Sequence, residues 1–166
     1  IDTAACHQWA VDGAREIIMQ LPASLREKCS EKAPLDNTTT TLDLNTASIG
    51  SVLYCTRNNG TYDIPCRLVS SDYAHLTEDS TSANHYATAD DPAYFIRDNV
   101  VEIKPTPTSD QRGFVYHIVY PTSIDVDAVD SIANFPIECE QLLVLYIASK
   151  QAAQCMTTEA DNEDSE

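Results

Sequence analysis

Glycine is scarce in this sequence, with only four among 166 residues. None of them lies in a GxGxxG or P-loop pattern, so a nucleotide would lack the backbone cradle that usually holds its phosphates. The four histidines are scattered, and no spacing typical of a metal site or of a nucleophile with its base occurs. The sequence therefore predicts a protein that is not an enzyme and that has no catalytic residues, metal or cofactor.

Basic residues are also few: ten Lys and Arg stand against 26 Asp and Glu, which gives a formal net charge of -16. Such a charge opposes broad contact with a phosphate backbone or an anionic lipid surface. Nucleic acid is therefore not expected as a direct ligand. The charge remains compatible with a channel around DNA, because an acidic wall repels phosphates.

Long apolar runs are absent, and no stretch approaches the roughly 20 residues that a membrane span requires. The length is that of one ordinary domain. We expect a single domain over residues 1–158, followed by a flexible tail over residues 159–166 that contains five acids and no base.

The cysteines lack the tight CxxC spacing of a zinc site. Their even number, and the glycosylation acceptor patterns at Asn37 and Asn59, leave open a secreted domain with three disulfides. The start of the chain at Ile1 leaves a preceding signal peptide open as well. The favoured interpretation is that the cysteines are reduced and serve as small core residues; they are Cys6, Cys29, Cys55, Cys66, Cys139 and Cys155.

Two helical segments are predicted at the ends of the chain. In residues 3–30, apolar or small residues recur every three or four positions, and Leu21-Pro22 breaks the helix before a short second one. The final helix is expected over residues 135–156, with Asn134 as its cap and Pro136 in its first turn. Its segment LLVLYIA (142–148) is apolar around nearly its whole circumference, which predicts that it is covered on several sides.

Strands are predicted between the helices, over residues 48–120. One hairpin, residues 49–56 with 62–69, turns at Asn58-Asn59-Gly60 and places Pro65 at an edge or bulge. Residues 71–78 form a turn of helix. A second hairpin, residues 93–97 with 100–104, turns at Asp98-Asn99, and residues 113–120 add a strand. Residues 33–46 are expected to be a loop or extended arm.

These elements predict an α+β fold, in which the N- and C-terminal helices pack as a bundle and an antiparallel β-hairpin or meander region is inserted between them. Four segments also resemble small virion structural proteins of tailed bacteriophages, particularly marine ones, and most closely the head-to-tail connectors or neck adaptors. The segments are WAVDGAREII (9–18), PCR (65–67), DPAYF (91–95) and SIANFPIECEQLLVLYIASK (131–150).

The resemblance implies a homo-oligomeric ring, usually dodecameric, that lies beneath the portal protein and contacts tail or nozzle proteins. Genomic DNA would pass through it without sequence-specific binding, and the protein would be assembled in the host cytoplasm and remain in the virion neck. The helices would pack together and against neighbouring subunits through Trp9, Ile17, Leu142, Leu145 and Tyr146.

The β portion is larger than in the simplest adaptors. This difference leaves open another virion component, such as a tail terminator, a stopper or a decoration protein. The secreted, disulfide-bonded binding domain is the remaining alternative.

Overall fold

The computed structural model describes residues 3–125 and 132–163, with the side chains of the last helix described as far as Met156. The chain divides into two compact units, a helical unit (Ile1–Cys29 with Tyr120–Glu166) and a sheet unit (Ser30–Val119). Helices at both ends and two sheets between them confirm the predicted α+β class. The single-domain organisation over residues 1–158 stays a prediction.

The N-terminal part of the helical unit follows the predicted helix, break and helix. Helix α1 spans Thr3–Gln20, α2 spans Ala23–Arg26, and a 3₁₀ helix follows over Glu27–Cys29. The break at Leu21-Pro22 leaves carbonyls at the end of α1 without partners inside the helix. Arg26 satisfies two of them, because its guanidinium donates to the carbonyls of Met19 (3.2 Å) and Leu21 (2.9 Å).

The last helix begins later and ends later than predicted. A 3₁₀ helix covers Ile137–Cys139, and α3 spans Glu140–Glu163. The prediction that Asn134 caps a helix starting at residue 135 is wrong, since Pro136 is the residue before the first turn and makes no side-chain cap. Asn134 instead has a φ of 54°. Asparagine tolerates this left-handed conformation better than most residues, and Asn134 accordingly lies in a turn. The predicted tail overlaps the end of α3, and residues 164–166 lie outside the described residues.

Eight strands form two four-stranded sheets in the sheet unit. The first sheet has the order β1-β8-β3-β4, and the second has the order β2-β7-β6-β5. All pairs are antiparallel except β5 with β6. The strands are β1 (Ser30–Leu35), β2 (Thr41–Asp43), β3 (Ile49–Asn58), β4 (Asp63–Pro65), β5 (Arg67–Leu68), β6 (Ala93–Arg97), β7 (Val100–Lys104) and β8 (Gly113–Val119).

Both sheets contribute to one buried core. The side chains of Leu35, Cys55 and Val115 from the first sheet join those of Val101 and Ile103 from the second. Each of these five is at most 1% exposed. The hydrophobic contact between the sheets is therefore what holds the sheet unit together.

The prediction of a loop or extended arm over residues 33–46 is wrong in part, because β1 and β2 occupy six of these fourteen residues, 33–35 and 41–43. Strand β1 pairs with β8 along its whole length, and only Leu35 among its six residues is fully buried. A strand at the edge of a sheet shows little alternation of apolar and polar residues, so the period-two signal is weak. The strand region accordingly starts at Ser30 rather than at residue 48.

The two predicted hairpins are confirmed, with one correction. In the second, Asp98 (φ 52°) and Asn99 (φ 61°) both adopt the left-handed conformation that a tight two-residue turn requires. In the first, β3 pairs with β4, and Pro65 lies on the edge strand as expected. The strand predicted over residues 62–69 is broken at Cys66, and β5 pairs with β6 in the other sheet. The predicted turn of helix is the 3₁₀ helix Ser71–Thr77.

Candidate interaction surface

Helices α1 and α3 pack against each other closely in the helical unit. The buried side of α1 contains three small residues, Ala10, Gly13 and Ala14, followed by Ile18. A β-carbon added to Gly13 would lie 2.5 Å from Tyr146 Cδ1 and 3.0 Å from Leu143 Cδ1. Leu143 is 3% exposed. One side of α3 is therefore covered by α1.

The opposite side of α3 is exposed and mostly apolar, with the polar residues Gln141 and Ser149 also on it. At 100° per residue, positions 145, 148, 152 and 156 fall on one side of a helix, with 142 and 144 on its two flanks. The side chains of Leu142, Val144, Leu145 and Met156 are 52–69% exposed. Ala148 and Ala152 are exposed between them. We call this set of six residues, Leu142, Val144, Leu145, Ala148, Ala152 and Met156, the outer face of α3.

The expectation that segment 142–148 is covered on several sides is not met by the residues that the structure describes. Leu143 is buried, Tyr146 and Ile147 are half-buried, and the remaining four residues are exposed. A monomer gains free energy by hiding such side chains, at about 1.5–3 kcal/mol for each fully buried leucine or methionine. An exposed apolar patch of this kind is typical of a surface that binds another protein.

The outer face carries no charge, although the chain as a whole is strongly acidic. Residues 141–156 contain one charged residue, Lys150. Its Nζ lies 5.1 Å from the centre of the Tyr146 ring, on the side of α3 that turns toward α1. An approaching surface would therefore not need to desolvate a carboxylate on the outer face.

The five residues predicted to make packing or oligomer contacts separate into two groups. Leu142 and Leu145 lie on the outer face of α3. Tyr146 lies against Gly13, and Trp9 and Ile17 are half-buried on α1. Sequence reasoning missed the residues that bring the helices together, Gly13, Ala14 and Leu143. The usable signal was the recurrence of small residues at 10, 13 and 14, which favours a close approach of two helices.

A second exposed cluster lies on the first sheet. The rings of Tyr54 and Tyr116 stack with centroids 4.4 Å apart, and Tyr54 is 44% exposed. The Nζ of Lys32 lies 3.5 Å from the centre of the Phe114 ring. These four side chains come from three neighbouring strands, β1, β8 and β3. They form an aromatic surface on the first sheet, in which the ammonium group of Lys32 already contacts a ring.

Two clefts in the sheet unit are small. One, of about 230 Å³, is lined by Glu31, Lys32, Ser48 and His117 among others. Sites for small molecules usually have about 300–1,000 Å³. Within residues 3–125 and 132–163, no three His, Cys, Asp or Glu side chains lie close enough together to hold a metal ion.

The cysteines are all free thiols, and four of them are buried. Cys66 points into the core, while the neighbouring Arg67 pairs with Asp91 at 3.1 Å. Burial raises the pKa of Cys66 to about 12, and the same cause raises the pKa of Cys55. A thiol activated by an adjacent cation would show the opposite shift. The interpretation of Cys66 as a core residue is therefore favoured.

No known family model matches this chain, and no curated protein sequence matches it either. None of the described helices combines the length and the apolar character that crossing a membrane would require.

Proposed function

We propose that this chain is a non-enzymatic virion structural protein, a head-to-tail adaptor that forms a ring with itself through the outer face of α3. Two features support the proposal. The first is the resemblance of residues 9–18, 65–67, 91–95 and 131–150 to tailed-phage neck adaptors. The second is structural and carries the proposal: the outer face is apolar, uncharged and exposed in the single chain.

The charge distribution favours a second copy of the same chain as the occupant of the outer face. Two copies that each carry a net charge of -16 repel one another, and the repulsion is greatest where carboxylates meet. Between residues 141 and 156 of α3 there is no carboxylate. Contact through this surface buries apolar area while keeping the acids of both copies in solvent.

The pair formed by α1 and α3 then becomes part of a helical bundle that neighbouring copies complete. Tyr146 and Leu143 face α1 in the same subunit, while Leu142 and Leu145 face the neighbour. The aromatic surface formed by Lys32, Tyr54, Phe114 and Tyr116 supplies a further contact area for the portal or tail proteins.

The acidic character also suits the passage of DNA. In the proposed role the ring, usually dodecameric in such adaptors, lies between portal and tail, and the genome moves through its centre without being bound. A wall rich in Asp and Glu repels the phosphate backbone and so lowers friction along the channel.

The deciding experiment compares two leucine-to-glutamate variants with the wild-type chain. Leu145→Glu places a carboxylate on the outer face, where assembly would have to desolvate or neutralise it. Leu68→Glu is the matched control, because Leu68 is 66% exposed, compared with 58% for Leu145, and lies on β5. Particle mass is measured by light scattering after gel filtration, symmetry is read from negatively stained images, and circular dichroism reports the fold.

We expect the wild type and Leu68→Glu to form rings and Leu145→Glu to remain a folded monomer. Since Leu145 is exposed in the single chain, its replacement should leave the helix content unchanged. A wild-type chain that stays monomeric at every concentration, or a Leu145→Glu variant that assembles normally, would contradict the proposal.

One observation favours a second candidate, another position in the virion. The sheet unit has eight strands in two sheets, which is more β structure than the simplest adaptors contain. A tail terminator, a stopper or a decoration protein would also assemble through exposed apolar surface. The ring symmetry and the location of the labelled protein in intact virions distinguish these positions from the adaptor position.

A further inference from the structure

Cys55 and Cys66 lie directly opposite each other at the end of the first hairpin. The β3–β4 ladder pairs Asn58 with Asp63, Arg57 with Ile64, and Thr56 with Pro65. The next step of the same register brings Cys55 opposite Cys66, and the backbone N–H of Cys66 donates to the carbonyl of Cys55 at 2.8 Å.

This register places the two cysteines within reach of a covalent bond. Because the Cys66 N–H donates to the Cys55 carbonyl, the two residues form a hydrogen-bonded pair, and the α-carbons of such a pair lie roughly 5.5 Å apart. Disulfides in proteins span roughly 4.4–6.8 Å between α-carbons. The α-carbon separation expected for this pair therefore lies within the range that disulfides span.

Both side chains also point in the same direction. Opposite residues project on the same face of a sheet. Here that face is the core, because Cys55 is fully buried, Cys66 is 8% exposed, and both belong to the cluster that contains Leu35 and Val115. Both thiols therefore lie on the core side of the hairpin, on neighbouring segments of the chain.

We propose that Cys55 and Cys66 are a redox-active pair that forms an intramolecular disulfide with a small-molecule disulfide such as oxidised glutathione. One cysteine thiolate attacks the glutathione disulfide, forming a mixed disulfide and releasing one glutathione. The second cysteine thiolate then attacks the protein sulfur of the mixed disulfide and releases the other glutathione. Overall, the protein dithiol loses two electrons and two protons, and one oxidised glutathione becomes two reduced ones.

Burial controls how fast this exchange proceeds. Desolvation raises the pKa of both thiols, so little thiolate is present at neutral pH. Oxidised glutathione also cannot reach a fully buried sulfur without local opening of the hairpin. The exchange is therefore expected to be slow in the folded protein and faster when the short edge strand β4 opens. Cys155, which is exposed, should react first.

The disulfide between Cys55 and Cys66 would stabilise the edge of the first sheet. Strand β4 is three residues long and pairs only with β3. A link between Cys55 and Cys66 closes the turn around Asn59-Gly60 and restricts the unfolded chain. In a reducing cytoplasm the pair would remain as thiols, and outside the cell it would be oxidised. This inference is independent of the neck-adaptor proposal.

Peptide mapping of the wild-type chain tests the pair directly. The reduced protein is incubated with oxidised glutathione, with and without urea below the unfolding concentration, then blocked with N-ethylmaleimide and digested with trypsin. Cleavage after Lys32, Arg57 and Arg67 separates the cysteines, giving peptide 33–57 with Cys55 and peptide 58–67 with Cys66.

We expect the two peptides to be joined with the loss of two hydrogens, to separate on treatment with dithiothreitol, and to be joined more quickly in urea. The oxidised protein should unfold roughly 5 °C higher than the reduced protein. Cys66→Ala should abolish both effects, while the control Cys155→Ala should keep them. If Cys66→Ala does not fold, the peptide map of the wild-type protein is sufficient to test the proposal. Recovery of both cysteines as blocked thiols in urea, or their linkage to other partners, would overturn the proposal.

Discussion

Gly13 and Tyr146 approach each other so closely that a β-carbon at position 13 would lie 2.5 Å from the Cδ1 atom of the ring. This distance is shorter than any ordinary contact between carbon atoms. The lack of a side chain at position 13 therefore sets the separation of α1 and α3. It also fixes which side of α3 faces inward, and so which side presents Leu142 and Leu145 to solvent.

Gly13→Ala is expected to lower the free energy of unfolding by about 1–2 kcal/mol. Overpacking a helix contact costs about 1–3 kcal/mol. The better helix propensity of alanine returns about 1 kcal/mol at most. Urea unfolding followed by circular dichroism measures the difference. In a Tyr146→Ala background the ring is absent, so the same substitution should lose most of its penalty; an equal penalty in both backgrounds would show that the contact is not the cause.

Arg57→Met should destabilise the sheet unit by about 2–4 kcal/mol. Arg57 is 3% exposed, and its guanidinium donates to Pro105 O at 2.8 Å, to Gln111 Oε1 at 3.0 Å and to Asn58 O at 3.2 Å. Methionine fills much of the same space but donates nothing, which leaves three part-buried acceptors without the Arg57 donor. Arg112→Met, at an exposed position nearby, is the control for thermal denaturation measurements and should cost less than about 0.5 kcal/mol.

The two hairpin turns and Arg57 illustrate what the sequence could and could not predict. The turns at Asn59-Gly60 and Asp98-Asn99 were predictable, because Gly, Asn and Asp adopt the left-handed conformation of a tight turn more readily than other residues. The role of Arg57 depends on Pro105 and Gln111, far along the chain, and no local pattern encodes that pairing. The role of a residue such as Arg57 is therefore determined by tertiary contacts, which a local sequence pattern does not reveal.

The same distinction applies to the strands and to the interaction surface. Strand β1 was missed because it is defined by pairing with β8 rather than by its own alternation. The apolar segment 142–148 was evident in the sequence. Which of its residues face α1 became clear only from the position of Gly13.

Lowering the pH should weaken the fold through Asp36. Its Oδ1 accepts hydrogen bonds from the Thr38 hydroxyl and from the N–H groups of Thr38 and Thr39, and these hold its pKa at about 2 rather than 3.8. Because the folded-state pKa is depressed, the stabilisation is complete above the unfolded value of 3.8 and is lost as the pH falls through about 2.

Urea titrations across this acid range compare wild type with Asp36→Ala. The variant should be less stable at neutral pH and should show a shallower decline on acidification. The exposed residue Asp72 provides the control Asp72→Ala, which should follow the wild-type curve. Parallel curves for wild type and Asp36→Ala would show that this turn is not the source of the pH dependence.

Salt should strengthen the proposed self-association rather than weaken it. The outer face of α3 carries no charge, while each copy carries a net charge of -16, so the electrostatic term between copies is repulsive. Raising the ionic strength from about 0.05 M to about 0.5 M shortens the screening length from roughly 14 Å to roughly 4 Å and reduces that repulsion. Sedimentation velocity at several protein concentrations should therefore give a lower dissociation constant at high salt. Leu145→Glu, measured in the same buffers, controls for general salting out and should stay monomeric throughout. An association that weakens with salt would indicate ion pairs, and the contact would then have to lie away from the outer face of α3.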